Sequence, residues 1–375
     1  MYVEAENLQV TVDGETIMDV EVNIGYIHRG VEALMQKRNY IQNIYLAERI
    51  CGICSGIHTV TYCQMVENLM NIDIPERARY IRTIILELER LHSHLLYLGV
   101  MGYEMGLDTI FMFSWKDREY VMEILEEISG NRVNYAMNTI GGVRRDISTQ
   151  KIPEFLKKID KIDKQARYYK KIFTSDRAVL ARTRNIGILK KSDVEKYSVL
   201  GPVARASDVS YDMRKISPYA AYESLENVWS VITEKAGDVR ARVMVKIREI
   251  NEAVKILKHC FKNIPKTPIK KQAPFVVPPD EAISRTEAPR GELIYYGISN
   301  GTDKPERVRV RTPSYTNMIS LRPMLLKQQL ADLPVIVGSI DPCFSCTDRI
   351  TLIDQNTWER KTVTPQDLKK LDDAE

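Results

Sequence analysis

Apolar residues recur along most of this chain with the spacing of amphipathic helices. From Pro75 onward they follow one another at steps of three and four residues, at Tyr80, Ile81, Ile84, Ile85, Leu88, Leu91, Leu95 and Leu96. This spacing predicts a long helix with one wide apolar stripe. Similar patterns predict helices over about 113–137, 151–173 and 219–262, with a break of the last helix at Gly237 as an alternative.

Two segments near the ends of the chain are typical of β structure instead. Residues 5–24 alternate around Val-Asp-Gly-Glu, which predicts a β-hairpin. After Pro265 the chain becomes rich in proline, which predicts strands and ordered loops. The predicted fold class is therefore α+β and predominantly α, with a helical core over about 30–263 and an extended or β region over about 264–349. We expect one domain over 1–349, followed by an extension at 350–375.

The composition is that of a folded protein with a large core. Hydrophobic residues make up 44% of the 375 positions, which allows a substantial core. The 54 lysines and arginines are interspersed with 50 acidic residues, which argues against nucleic acid as a partner. We find no signal peptide and no uninterrupted run of about 18 apolar residues. We therefore expect an intracellular chain that does not itself span a membrane.

Two Cys-x-x-Cys pairs stand near opposite ends of the chain, and their members are Cys51, Cys54, Cys343 and Cys346. In a reducing cytoplasm such pairs indicate metal ligands or redox thiols rather than disulfides. Spacing alone leaves a structural zinc site or an iron-sulfur cluster open, although zinc ribbons usually place their pairs closer together. The isolated Cys63 and Cys260 are expected to be ordinary buried thiols.

The residues around the two pairs resemble the signature motifs of nickel-iron hydrogenase large subunits. The first motif reads Arg-x-Cys-Gly-x-Cys-x-x-x-His at 49–58, and the second reads Asp-Pro-Cys-x-x-Cys-x-x-Arg at 341–349. Arg-Gly-x-Glu at 29–32, His-x-His at 92–94 and Pro-Arg-Gly at 289–291 resemble further elements of that family. The resemblance covers most of the chain and implies the helical-bundle fold of those subunits.

Within that family the sequence is similar to the energy-converting, membrane-associated branch, which is related to the quinone-site subunit of respiratory complex I. The segments at 130–134, 141–146 and 201–206 carry this second resemblance. The complex I relatives lack the metal-binding cysteines. Retention of all four cysteines here therefore favours a working hydrogenase.

The resemblance implies a nickel-iron centre whose iron carries carbon monoxide and cyanide. Cys51 and Cys343 would be terminal nickel ligands, while Cys54 and Cys346 would bridge nickel to iron. Cleaving dihydrogen requires a redox-active metal, a base that accepts the proton and a dry pocket. A terminal thiolate is the expected base, and Cys343 is the candidate.

Further residues are expected around the metals. Arg290 would lie over their open side and donate hydrogen bonds to cyanide, and Asp341 would pair with this arginine. His58 follows the first cysteine pair by one helical turn and would donate to a bridging sulfur. Glu32 and His92 are expected only in supporting polar networks.

Two positions depart from the pattern of the family. Ser93 stands where many hydrogenases carry an aspartate above the metals, so Arg290 and Asp341 are expected to carry more of that work. The family usually has a glutamate near its N-terminus that passes protons from the terminal thiolate. Glu4 lies where that glutamate belongs, although its flanking residues do not match. We hypothesise that Glu4 is the relay or that the true start codon lies upstream.

The resemblance also implies processing of the chain at its C-terminal end. Related precursors are cut by a maturation protease after the last residue of the second motif, which is Arg349 here. Cleavage would remove residues 350–375. The alternative is that this tail is retained as a docking helix.

Partner subunits are implied because the chain has no cysteines left for an iron-sulfur cluster of its own. The resemblance implies a small subunit with a 4Fe-4S cluster, ferredoxin as electron carrier and integral-membrane subunits that translocate ions. The chain would then be peripheral, on the cytoplasmic face of the membrane, and would oxidise dihydrogen or reduce protons. The alternatives are a sulfur-reducing or formate-linked oxidoreductase on the same scaffold, and a non-enzymatic bridging subunit that binds zinc or no metal.

Overall fold

The structure is a computed structural model that describes residues 6–347 and the backbone of two short strands after them. Its helices are α1 (Val31–Met35), α2 (Tyr40–Glu48), α3 (Ser55–Leu69), α4 (Glu76–Glu104), α5 (Asp108–Ser129), α6 (Ile152–Ser175), α7 (Arg177–Thr183), α8 (Lys191–Tyr197), α9 (Gly201–Arg205), α10 (Met213–Ile216), α11 (Val239–Lys262), α12 (Pro313–Asn317), α13 (Leu321–Leu325) and α14 (Leu333–Ser339). Its strands are β1 (Asn7–Asp13), β2 (Thr16–Asn23), β3 (Asn138–Thr139), β4 (Gly142–Val143), β5 (Asp280–Ala288), β6 (Gly291–Ser299), β7 (Pro305–Arg311), β8 (Thr351–Ile353) and β9 (Arg360–Thr362). The predicted fold class, predominantly α with small sheets, is confirmed.

The longest helix, α4, lies at the centre of the fold and packs against α3, α5, α11 and α14. The apolar spacing predicted this helix, but it placed Arg82, Glu87 and Arg90 outside the apolar stripe. The structure buries all three side chains, and each forms an ion pair. A helix can be buried on nearly all of its faces in this way only where its charges are paired. No helix among the described residues has both the length and the hydrophobicity needed to cross a membrane.

Two helix boundaries differ from the sequence-based prediction because glycines interrupt the backbone. Helix α5 ends at Ser129 instead of extending to about 137, since Gly130 takes a left-handed φ of 80°. The helix predicted over 219–262 is wrong in its first half. Helix α11 begins only at Val239, after Gly237 with a φ of 64°. The interruption expected at Gly237 is therefore found, but no α-helix precedes it over 219–236.

Small antiparallel sheets lie against this helical body. β1 and β2 form the predicted hairpin. β5, β6 and β7 form a three-stranded sheet in that order, and β5 and β6 pack against α3. The region predicted as extended also contains helices α12, α13 and α14, which the proline-rich pattern did not indicate. The sheet thus brings the C-terminal part of the chain against α3, the helix that follows the first cysteine pair, while α14 packs against α4 and α11.

Candidate metal centre

The two Cys-x-x-Cys pairs meet in the interior of the fold. The Sγ atoms of Cys51 and Cys343 lie 3.2 Å apart across a sequence separation of 292 residues. Those of Cys51, Cys343 and Cys346 all lie within 4.8 Å of one another. All four paired cysteines are buried free thiols. Thiolates bound at about 2.3 Å to one tetrahedral metal lie roughly 3.8 Å apart, so this spacing suits ligands that share a metal.

The first pair lies at the junction of α2 and α3. The backbone N–H of Cys54 donates to the Sγ of Cys51 at 3.3 Å, which closes the turn between them. Arg29 donates to the carbonyl oxygens of Arg49 and Ile50 at 3.2 and 3.0 Å. The arginine of the Arg-Gly-x-Glu element therefore fixes the chain that leads to the first thiol.

A buried carboxyl group caps the helix that begins after Cys54. Glu89 on α4 accepts hydrogen bonds from the backbone N–H groups of Gly56 and Ile57 at 2.5 and 3.0 Å. Burial raises the pKa of Glu89 to about 8. Sequence reasoning missed this residue. The sequence feature that could have identified it is its position: Glu89 lies four residues after Ile85, on the predicted apolar stripe, where a carboxyl group is unexpected.

The second pair follows α14 and is held by the start of α12. The hydroxyl oxygen of Ser314 accepts from the backbone N–H of Cys343 at 3.1 Å. Thr312 donates to the carbonyl oxygen of Cys346. The N–H of Cys346 donates to the carbonyl oxygen of Cys343 at 3.0 Å, within a single 3-10 turn. These bonds hold both thiols of the pair on one short, rigid turn.

Crowding makes the four thiols ionise unequally. Hydrogen bonds, first from Cys343 and then from Cys346 and Cys54, lower the pKa of Cys51. The pKa of Cys54 is raised by its hydrogen bond with Cys51 and then by burial, and the pKa of Cys346 is raised by Cys343, Cys51 and burial. One thiolate is thus favoured, and further thiolates are resisted unless a cation shares their charge.

Arg290 lies beside the thiols, at the turn between β5 and β6. Its Nη1 lies 3.1 Å from the Sγ of Cys54 and 3.4 Å from the hydroxyl of Ser93. Its Nη2 donates to Oδ1 of Asp341 at 2.8 Å, and its Nε donates to the backbone oxygen of the same residue at 2.7 Å. The structure therefore forms the predicted pair of Arg290 and Asp341 and places Ser93 next to it.

Asp341 has a second cationic partner that sequence reasoning missed. Its Oδ2 accepts from the Nζ of Lys246 at 2.5 Å. Lys246 is buried on α11, with its ammonium group 4.4 Å from the centre of the Tyr97 ring. The available signal was its spacing, because it lies three residues after Val243 and four before Ile250, on the apolar face of the helix.

His58 contacts the second cysteine pair. Its Nε2 lies 4.0 Å from the Sγ of Cys346, while its Nδ1 lies 2.8 Å from the hydroxyl oxygen of Tyr295. Burial lowers the pKa of His58 to about 4, so the ring is neutral. The ring is thus near a predicted bridging sulfur, but this sulfur comes from the opposite end of the chain and not from Cys54. Tyr295, on an inward-facing position of β6, was not predicted.

Glu32 and His92 lie in polar contacts outside the thiol cluster. Oε1 of Glu32 accepts from the backbone N–H of Val310 at 2.9 Å. Nη2 of Arg118 lies 2.5 Å from Nε2 of His92, and burial lowers the pKa of this histidine. The neutral ring therefore accepts a hydrogen bond from the arginine. Both residues support the surrounding structure, as the sequence predicts.

Three predicted features lie outside the described residues. These are Glu4, the hypothetical proton relay, Arg349, after which cleavage is expected, and the proposed docking helix in the tail. All three stay predictions.

Gly201 packs directly against the turn that carries Arg290. Its φ is 65°, and a Cβ atom there would lie 2.3 Å from the carbonyl oxygen of Arg290 and 2.5 Å from the Cα of Gly291. Because both clashes are with backbone, the turn would have to move. Replacing Gly201 with alanine is therefore expected to lower the melting temperature markedly in thermal denaturation.

Gly14 provides the control for that substitution. It has a φ of 59°, and no atom lies within 4 Å of a Cβ built on it. Gly14→Ala should lose only the roughly 1–2 kcal/mol that a left-handed backbone costs an L-residue. Equal melting temperatures for the two variants would show that the Arg290 turn tolerates the displacement.

The cysteine side chains gathered here suit a soft or borderline metal ion as ligands. Thiolates select such metals, whereas magnesium and calcium take oxygen ligands. The buried guanidinium of Arg290 adds fixed hydrogen-bond donors next to the thiols, and these can hold an anionic group bound to the metal. The residues therefore fit a thiolate-held metal centre with anionic ligands.

Two family models match the chain. The model described as "Nickel-dependent hydrogenase" matches residues 29–108, which include the first cysteine pair. The model described as "Respiratory-chain NADH dehydrogenase, 49 Kd subunit" matches residues 104–281 and 271–349, which include the second pair. Together the two matches span nearly all of the described chain.

Similar proteins include both hydrogenases and a dehydrogenase. The "Membrane-bound hydrogenase subunit alpha" of Pyrococcus furiosus is 40% identical, with 98% of this chain and 89% of the relative covered. The F(420)H(2) dehydrogenase of Methanosarcina mazei has a subunit that is 39% identical, with 91% of this chain and 93% of that subunit covered. A chain in the structure of "the membrane-bound sulfane sulfur reductase (MBS), an archaeal respiratory membrane complex" matches with a TM-score of 0.87 and 30% identity, over 92% of this chain and 95% of that chain.

These matches extend over both cysteine motifs and over the helical body between them. They include proteins whose names describe membrane-bound complexes. The chain therefore belongs to the family that contains nickel-dependent hydrogenase large subunits and complex I 49 kDa subunits, and within it the chain is similar to the membrane-bound, energy-converting members.

Proposed function

We propose that this chain is the catalytic subunit of a membrane-associated nickel-iron hydrogenase that oxidises dihydrogen and reduces protons reversibly. The observation that carries the proposal is the convergence of three buried thiols from opposite ends of the chain, those of Cys51, Cys343 and Cys346, with Arg290 on the sulfur of the nearby Cys54. A subunit that only bridged two arms of a complex would have no need of this arrangement. Thiolates gathered so closely in a buried site would repel one another and cost stability without a metal cation to share their charge.

The four thiols would hold the nickel-iron centre. In this proposal Cys51 and Cys343 would hold the nickel as terminal ligands, and Cys54 and Cys346 would be shared with an iron whose further ligands would be carbon monoxide and cyanide. When bound, the centre supplies the redox-active metals that heterolytic cleavage of dihydrogen requires. The remaining chemistry falls to the side chains of this chain.

Those side chains divide the work between proton transfer and orientation. Cys343 accepts the proton at its sulfur, in a buried site where little water competes for it. Arg290 is oriented by two hydrogen bonds to Asp341, so its Nη1 is fixed over the Cys54 side of the cluster. There it would donate hydrogen bonds to cyanide on the iron. His58 places its Nε2 beside the sulfur of Cys346, while its Nδ1 is held by the hydroxyl of Tyr295. Glu4 is the proposed next proton carrier.

The proposal extends to the partners of the chain. A small subunit with a 4Fe-4S cluster takes the electrons, ferredoxin carries them onward, and integral-membrane subunits couple turnover to ion translocation. The chain is then peripheral on the cytoplasmic face of the membrane, and a maturation protease cuts after Arg349. Support comes from the relative named as a membrane-bound hydrogenase subunit and from the match to a respiratory membrane complex.

Sulfur reduction is the second candidate function. It is supported by the structural match to a chain of a membrane-bound sulfane sulfur reductase, at a TM-score of 0.87. The scaffold and the membrane attachment would be the same in both cases. The two functions differ in the substrate that reaches the thiol cluster.

Nickel analysis and infrared spectroscopy of the native complex test the proposal. We expect about one nickel per chain and infrared bands from metal-bound carbon monoxide and cyanide, together with hydrogen uptake linked to ferredoxin. Zinc at the thiols, with no such bands, would instead indicate a bridging subunit. Turnover of sulfur donors without hydrogen turnover would favour the second candidate.

A further inference from the structure

Lys246 is a buried cation behind Arg290 and Asp341, and the proposed chemistry gives it no task. We propose that Lys246 is a positioning residue of the metal centre: by holding Oδ2 of Asp341 it keeps Arg290 directed at the Cys54 sulfur, and it adds a second positive charge beside the thiolates. This inference rests on the proposed hydrogenase function.

The hydrogen-bond geometry gives Lys246 control over Arg290. The carboxylate of Asp341 is divided between two cations, with Oδ1 on Nη2 of Arg290 at 2.8 Å and Oδ2 on Nζ of Lys246 at 2.5 Å. Because Oδ2 is occupied, Nη1 of Arg290 stays on the Cys54 sulfur at 3.1 Å. Arginine and carboxylate otherwise favour two parallel hydrogen bonds. Without Lys246, an unpaired buried Oδ2 would compete for the nitrogens of Arg290.

Lys246 is itself held firmly in this position. Its ammonium group lies over the ring of Tyr97 at 4.4 Å, and the hydroxyl of Tyr97 donates to the carbonyl oxygen of Ser339 at 3.2 Å. The next carboxylate on the same helix, Glu249, is already paired with Arg205 and hydrogen-bonded to a histidine. Among the described residues, the ion pair that Lys246 forms is therefore the one with Asp341.

The charges around the thiols explain why a second cation is useful. Arg290 and Lys246 carry two positive charges, and Asp341 carries one negative charge, so the group adds a net positive charge next to the thiolates. Ser93, the other side chain within reach of Nη1 of Arg290, is neutral. In a buried site of low dielectric constant, this charge stabilises a cluster that binds as an anion. With Lys246 removed, the group would be neutral overall.

The test compares Lys246→Met and Lys246→Arg with the wild-type complex. Methionine keeps an unbranched side chain of similar length and removes the charge, whereas arginine keeps the charge and the donors. Lys255→Met is the matched control, because Lys255 lies on the same helix and is more than half exposed in a pair with Glu252. Infrared spectra, nickel content, hydrogen uptake and the structure of each variant are measured.

We expect Lys246→Met to shift the cyanide bands and to lower hydrogen uptake roughly tenfold to a hundredfold, because Arg290 is misplaced. In its structure Nη1 of Arg290 should have left hydrogen-bond distance of the Cys54 sulfur. Lys246→Arg should restore most of the wild-type spectrum, and Lys255→Met should match the wild type throughout. A merely structural lysine would change the melting temperature without moving the cyanide bands.

The outcomes separate this inference from the proposed function. Wild-type protein without nickel and without infrared bands ends the hydrogenase proposal, while the position of Arg290 in the Lys246→Met structure still decides the role of Lys246. Unchanged bands and an unmoved Arg290 overturn the inference even in an active hydrogenase. If the methionine variant does not fold, Lys246→Gln, which is neutral but polar, is judged by the same two criteria.

Discussion

Replacing Cys343 with alanine is expected to remove nickel from the complex and to abolish hydrogen turnover. Its sulfur lies 3.2 Å from that of Cys51 and belongs to the buried group of three thiols that could share one metal ion. In the proposed chemistry it is both a terminal ligand and the proton acceptor, so both functions are lost together. Nickel content by elemental analysis and hydrogen uptake by the purified complex measure the effect.

Cys260→Ala is the matched control for that substitution. Cys260 is equally buried but lies on α11, outside the thiol cluster. Removing its sulfur should leave nickel content and turnover unchanged, with a stability loss of about 1 kcal/mol. Full nickel occupancy in the Cys343→Ala variant would show that the metal is held elsewhere or that the remaining three thiols suffice.

Side-chain periodicity predicted helices correctly where it alone determines the structure. The predictions were wrong where backbone conformation and backbone contacts determine it. The spacing of α4 is unbroken, and the predicted start at Pro75 adjoins the observed start at Glu76, although the apolar pattern was followed only to Leu96 and the helix continues to Glu104. The pattern continued equally well through 219–238, although the chain there forms a short 3-10 helix, turns and loops. A Cβ atom on Gly237 would lie 2.2 Å from the carbonyl oxygen of Leu189, and the φ of Gly237 is positive. Asp238 then caps α11 by accepting from the N–H of Ala241 at 2.7 Å. Periodicity does not register such tertiary contacts.

The candidate site divides in the same way. The cysteines, Arg290 and Asp341 stand in recognisable motifs, so their resemblance to a family could be read from the chain. Lys246 and Glu89 belong to no motif, because each acts on a partner that only the fold brings near: Asp341 in the first case, and the backbone of Gly56 in the second. Their one signal is a charged residue at an apolar position of a helix. That signal marks burial but leaves the partner unknown.

A network of buried charges links α4, α9 and α11 behind the metal centre. Arg205 lies at the centre of this network and has no exposed surface. Its guanidinium donates to Glu249 at 2.9 Å and to Glu287 at 2.8 Å, and it lies 3.4 Å from Asp212. Glu249 in turn contacts His94 at 2.8 Å. The short helix α9 therefore has two tasks, since Gly201 at its start supports the turn of Arg290 and Arg205 at its end contacts three buried carboxylates.

Replacing Arg205 with methionine is expected to lower the free energy of unfolding by about 3–5 kcal/mol, because it leaves buried carboxylates without their cation. Arg182→Met is the control: Arg182 pairs with Asp332 at 2.8 Å near the surface, where a pair contributes about 0–1 kcal/mol. Denaturation of both variants across a pH series measures the difference. The deficit of Arg205→Met should shrink at acidic pH, since protonation of the orphaned carboxylates removes the charge that is costly to bury. A deficit that matches the control, or that is the same at every pH, would mean that the network is stabilised by packing and not by the charge of this arginine.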